Sequence, residues 1–289
     1  MNKIGIYYAY WTHDWDADFV PFVSKVKNLG FDILEVNAGT VANYSQIERD
    51  RLRKEADKEG IELTYCIGMT ADYDIASPDS EKRKAGIQFL RKMAEAIHYM
   101  GNKQLGGIIY SSWPGKLPDG AKREEYVNRS VESMKEAVKA AEDYGVYFNL
   151  EVVNRFEQYM FNTCAQAVEY VERVGSDHCK VMLDSFHMNI EEDSFREAIL
   201  KAGKHLGHFH IGETNRRAPG RGRIPWEDIF TALKEIKYAG AIVMEPFLMQ
   251  GGEVGRDISV FRDLQDGMDL DEEARRACAF VRSMTNGKE

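Results

Sequence analysis

Short apolar runs alternate with longer amphipathic ones along the whole chain. The apolar runs at residues 3–8, 32–37, 62–67, 106–110, 147–152, 180–184, 206–210 and 241–245 read as strands. Between them, apolar positions recur at helical spacing over 18–29, 45–59, 80–99, 123–144, 164–174, 194–202, 226–236 and 271–284. Strands that alternate with helices make a parallel sheet with helical crossovers. Eight such units in 289 residues predict an α/β fold, a single (β/α)8 TIM barrel occupying 1–289 as one domain. The competing arrangement is an open doubly wound sheet. That sheet, when it binds nucleotide, carries a glycine-rich turn after its first strand. Here the first run ends in Tyr7-Tyr8-Ala9-Tyr10-Trp11, and neither GxGxxG nor GxxxxGK[ST] occurs. The loop 111–122 is long and turn-rich and reads as a lid or an interface element.

Composition narrows the function classes. Lys and Arg number 38 against 47 Asp and Glu, a formal charge of −9, which argues against a nucleic-acid partner. No run of 18 apolar residues occurs, so no membrane span is expected, and the first residues lack the long apolar stretch of a signal peptide. The four cysteines have no CxxC spacing and read as reduced thiols of a cytoplasmic protein.

Barrel chemistry sits at the C-terminal ends of the strands. The runs in the second half of the chain end in Glu151, Asp184, His210 and Glu245. Each carboxylate alone reads equally as a helix cap or an ion-pair partner, and His210 alone reads first as a structural histidine. Together they aim three carboxylates and one imidazole at one mouth. A divalent cation is the simplest neutraliser of such a cluster, and this oxygen-rich donor set suits Mn²⁺, Mg²⁺ or Co²⁺. Glu35, near the end of the second run, reads as a further site residue or as half of a structural ion pair. The aromatic group Tyr7, Tyr8, Tyr10, Trp11 and Trp15 reads as core, interface or sugar-packing surface. Cys66 and Met69 read as pocket wall.

Longer motifs then carry a resemblance. Leu150-Glu151-Val152-Val153-Asn154-Arg155-Phe156-Glu157 resembles a segment of the ketose 3-epimerases, the D-tagatose and D-psicose (D-allulose) 3-epimerase enzymes of the xylose-isomerase-like barrels. Also similar are the stretch from Val181 to Asp193, Gly207-His208-Phe209-His210-Ile211-Gly212-Glu213, Asn215-Arg216, the stretch from Pro219 to Trp226, Met244-Glu245-Pro246-Phe247, the opening Gly5 to Trp11, and Trp113-Pro114. The likeness runs in order over nearly the whole chain and is nearest to the D-psicose branch. It implies Glu151, Asp184, His210 and Glu245 as ligands of Mn²⁺ or Co²⁺. It implies Glu151 and Glu245 also as the acid/base pair, one on each face of a cis-enediolate formed from a ketose such as D-fructose. Glu157, His187 and Arg216 would bind the O1–O3 end of the sugar, and Tyr7, Trp15, Trp113 and Phe247 would line the pocket. It further implies a homodimer or homotetramer. The chain departs from the family pattern at Ser112-Trp113-Pro114-Gly115 and at Ile108, where a smaller residue is common. Ile108, Met69 and Leu248 are the expected wall around the far end of the sugar.

Other readings remain at this stage. An aldose–ketose or hydroxypyruvate isomerase would use a similar cluster, though the long motifs count against it. A metal-dependent DNA-repair endonuclease would want more ligand residues than seven histidines supply, and a basic groove. Of the four arginines at 216–223, a phosphate site is one reading, and solvated or acid-paired side chains the other. A non-catalytic barrel would have no reason to end four adjacent strands in ligand-type residues.

Overall fold

The computed structural model describes residues 2–286. Eight strands are hydrogen-bonded in chain order: β1 (Ile4–Tyr7), β2 (Ile33–Asn37), β3 (Glu62–Gly68), β4 (Gln104–Ile108), β5 (Tyr147–Glu151), β6 (Cys179–Asp184), β7 (Leu206–Ile211) and β8 (Ile242–Met244). Every pairing is parallel, and Ile4 opposite Ile242 closes β8 onto β1. That closure makes the sheet a (β/α)8 barrel and removes the open doubly wound alternative.

Helices α1 (Val20–Leu29), α2 (Ala38–Asn43), α3 (Gln46–Glu59), α4 (Ser80–Tyr99), α5 (Arg123–Tyr144), α6 (Cys164–Val174), α7 (Ser185–Glu191), α8 (Phe195–Ala202), α9 (Trp226–Glu235), α10 (Gly252–Asp257) and α11 (Leu270–Asn286) connect and follow the strands. Their starts are written in the sequence. Ser45 with Glu48, and Thr163 with Gln166, form reciprocal capping boxes, and the Asp79 side chain accepts the Glu81 N–H. The inner face of α5 buries Val127, Val131, Met134, Val138 and Ala141, one helical stripe. Helix α11 is tied to the end of α1 by Arg275 to Asn28 O and to the loop after it by Arg282 to Gly30 O. All four cysteines are buried and free. No helix among the described residues is long and apolar enough to cross a membrane.

The fourth strand lies two residues earlier than its apolar pattern suggests. Glycine weakens strands, so Gly106 and Gly107 read as a strand's beginning, yet they sit inside β4. A Cβ on Gly106 would lie 2.8 Å from Met182 Sδ, and one on Gly107, at φ +107°, would lie 2.2 Å from Ile67 O. Gly107 needs the absence of a side chain, because the backbone of the neighbouring strand β3 fills the space, whereas at Gly106 the obstacle is the flexible end of Met182 on β6. Gly107→Ala is therefore expected to destabilise the fold by about 3 kcal/mol, from backbone strain plus overpacking. A thermal melt that does not shift would contradict this.

Candidate active site

Strand register assembles the centre. Glu151 and Asp184 are the last residues of β5 and β6, His210 is paired directly with Asp184 across β6 and β7, and the Glu245 N–H just past β8 bonds Ile211 O at 3.0 Å. All four side chains are buried. One ligand-type atom from each lies within 4.8 Å of the others. His210 Nδ1 is 3.5 Å from Glu245 Oε1 and 3.9 Å from Glu151 Oε1. One oxygen of Asp184 accepts the Phe186 N–H at 2.6 Å and so caps α7. Its other oxygen, Oδ2, and His210 Nδ1 have no hydrogen-bond partner among the described residues. Buried polar atoms are seldom left unpaired. Three carboxylates and one imidazole nitrogen, two of them orphaned inward, fit a hard divalent cation.

The electrostatics agree with that fit. Burial, and then the Glu245 and Asp184 carboxylates, push the Glu151 carboxyl well above the usual range. Burial disfavours charge on His210, but Glu35 and Glu245 outweigh it and raise its pKa well above normal. Without a cation the cluster thus binds protons more readily than isolated groups would.

Above this floor lies a polar rim. Asn154 organises it: its N–H donates to His187 Nδ1 at 3.2 Å, and its side-chain amide donates to Glu157 Oε1 at 3.0 Å. His187 Nε2 lies 3.3 Å from Arg216 Nη2 and 3.9 Å from Glu151 Oε1. Burial lowers the His187 pKa to about 4, so the ring is neutral near pH 7. Glu157 Oε2 accepts the Trp113 Nε1–H at 3.0 Å. Burial opposes the Glu157 charge, but His187, the Arg216 guanidinium and these donors keep its pKa low. Arg216 Nη1 donates to Glu245 Oε2 at 2.9 Å and lies 3.6 Å from Asp184 Oδ2. Its guanidinium stacks 4.0 Å over Phe186 and 5.2 Å from Phe247. The residue takes φ +63°, which costs a non-glycine side chain on the order of 1 kcal/mol. That turn points Arg216 inward, whereas Arg217 pairs with Asp266 and Arg221 with Glu273.

Glu151, Glu157, His187, Arg216 and Glu245 share one cavity of about 350 Å³ with Tyr7, Trp15, Trp113 and Phe247. The aromatic group at the end of β1 divides. Tyr7 and Trp15 face the cavity, Tyr8 and Tyr10 are core, and Trp11 bonds Asp271 of α11. Cys66 and Ile108 line the wall, but Met69 and Leu248 do not. Met69 is 1% exposed, its backbone held between Ile108 O and the Trp113 N–H, so its side chain packs away. Leu248 is equally buried and borders a small cleft beside Arg217 and Glu273 instead. The far wall also takes Ile67, Asp257 and Ile258. Asp257 and Ile258 lie in and just after α10, a dozen residues beyond β8, with no local signal for a site; Asp257 is fixed by the Trp15 Nε1–H at 2.9 Å. Glu35 is fully buried, and its Oε1 accepts from His210 Nε2 at 2.5 Å.

Comparison with known proteins identifies the lineage. Residues 23–283 match the family described as xylose isomerase-like TIM barrel. The chain is 45% identical to a D-psicose 3-epimerase of Agrobacterium fabrum, over 99% of this chain and 100% of that one. It is 46% identical to a D-psicose 3-epimerase of Ruminiclostridium cellulolyticum, over 97% of both. The crystal structure of D-psicose 3-epimerase with D-tagatose from Clostridium cellulolyticum superposes with a TM-score of 0.96 at 46% identity, covering 98% of this chain and 99% of that one. The chain therefore belongs to the xylose isomerase-like TIM barrel family and, standing this near its epimerases, is an isomerase.

Proposed function

We propose that this enzyme inverts C3 of free ketoses, interconverting D-fructose and D-psicose and also accepting D-tagatose and D-sorbose. The observation that carries this is the convergence of Glu151 and Glu245, from strands three apart in the barrel, on one buried cluster at the floor of the cavity. Inversion needs a proton-transfer group on each face of the carbon. One carboxylate takes the C3 proton, the electron pair moves onto the C2 carbonyl oxygen to give a cis-enediolate, and the other carboxyl returns a proton on the opposite face. A divalent cation held by Glu151, Asp184, His210 and Glu245, Mn²⁺ or Co²⁺ with Mg²⁺ as substitute, supplies Lewis-acid polarisation of that carbonyl when bound. Glu157, His187 and Arg216 orient the hydroxyl-bearing end of the sugar. Tyr7, Trp15, Trp113 and Phe247 cover its C–H faces and exclude water. Assembly as a homodimer or homotetramer rests on the family resemblance, and a cytoplasmic location on the four free cysteines.

The test is isotope exchange. Chelator-stripped protein resupplied with Mn²⁺ is incubated with D-fructose in D2O and followed by NMR. Deuterium at C3 together with D-psicose is expected. Deuterium at C1 or C2 with an aldose product would reassign the enzyme as an aldose–ketose isomerase.

A further inference from the structure

Glu35 reaches the centre from the opposite side of the barrel. It sits in the middle of β2, is 0% exposed, and is 175 residues from His210 in sequence. Its two oxygens are both engaged. Oε1 accepts from His210 Nε2 at 2.5 Å, and Oε2 accepts from Thr64 Oγ1 at 2.8 Å, Thr64 being its register partner on β3. His208 Nε2 also lies 2.8 Å from Oε2, though not aligned for a hydrogen bond. The His210 ring is thus gripped by one nitrogen. The other, Nδ1, is turned toward Glu151 and Glu245 with no partner of its own.

We infer that Glu35 is a positioning residue. By holding Nε2–H of His210, it fixes the ring orientation and the tautomer that present the Nδ1 lone pair to the Glu151, Asp184 and Glu245 oxygens, and Thr64 fixes Glu35 in turn. This rests on the proposed cation site. The physical reason is that an imidazole offers two nitrogens either of which can ligate, and the bond made by one decides that the other is free to do so. Two strands of the barrel wall, β2 and β3, make that bond. A carboxylate set on a strand and locked by a second strand holds its partner within a narrower range than a loop residue does. Glu35 touches neither the sugar nor its reacting carbon in this scheme. Its effect travels through His210 alone.

The experiment is Mn²⁺ titration calorimetry on the wild-type chain and on Glu35→Gln, Glu35→Ala and Thr64→Val, with thermal melts of each in chelator. Outer-shell partners of ligating histidines are worth about 10- to 100-fold in metal affinity. Glu35→Gln keeps an oxygen that can accept Nε2–H, so its affinity falls by about tenfold, and Glu35→Ala falls further, toward about a hundredfold. The graded order, with partial rescue by the amide, is the signature of positioning. A purely structural role would lower the melting temperature in chelator and leave Mn²⁺ affinity unchanged, and that result overturns the inference. If Glu35→Ala does not fold, Thr64→Val decides. Weaker Mn²⁺ binding in that folded variant supports the inference, and unchanged binding defeats it. Wild-type protein that binds no Mn²⁺ would remove the cation site itself, which separates failure of that reading from failure of this one.

Discussion

Glu151→Gln and Glu245→Gln are each expected to lower turnover of D-fructose by about a thousandfold or more, with the barrel intact by circular dichroism. General acid–base groups contribute about 10²- to 10⁴-fold on their own, and each of these two also belongs to the proposed cation site. The amide keeps the size and one acceptor oxygen but neither takes nor gives the proton. The two variants are also expected to differ from each other. Removing the base on one face leaves the base on the other, which still abstracts the C3 proton of the epimer that presents it there. Residual deuterium exchange in D2O is therefore confined to one epimer in Glu151→Gln and to the opposite epimer in Glu245→Gln. Retention of more than about a tenth of wild-type turnover by either variant would remove that residue from the acid/base pair, since even the smallest such contribution is larger.

Chelation is expected to abolish turnover, and the affinity for the returning cation is expected to rise with pH. Both effects come from the same cluster. In the cation-free protein, burial and neighbouring carboxylates strengthen proton binding at Glu151, and Glu35 and Glu245 strengthen it at His210. A proton held by either group must leave before that group can ligate, so binding releases protons. The sign follows directly: lower pH supplies the competitor and weakens binding. Calorimetry of Mn²⁺ binding in two buffers of different ionisation enthalpy measures the proton count. A pH-independent affinity with no proton release would contradict the assignment. Cation at about a thousand times its dissociation constant stabilises the fold by about 4 kcal/mol, so the chelated protein also melts at lower temperature.

The sequence determined the barrel and half of the site because both are periodic. Long amphipathic segments such as α4, α5 and α6 show their bounds without any tertiary help, and four apolar runs ending in Glu151, Asp184, His210 and Glu245 need only the rule that barrel strands point their ends at one mouth. The start of β4 was hidden, because Gly106 and Gly107 are chosen for what Met182 and Ile67 leave free, not for strand propensity. Short helices were hidden too. Segments of six or seven residues such as α2, α7 and α10 are too short to be stable alone and form where tertiary contacts hold them; α7 is capped by the site residue Asp184 itself. Nothing local separates Tyr7 and Trp15, which face the cavity, from Tyr8, Tyr10 and Trp11, which do not. The same holds for Arg216 against its neighbours, which differ only in where a left-handed backbone turns one guanidinium. Glu35 was visible as a carboxylate near a strand end, but its partner is a histidine on the far side of a closed sheet. Hydrophobic spacing determines which element a residue belongs to. Only barrel closure, which brings β2 against β7 across the interior, decided whom Glu35 meets there.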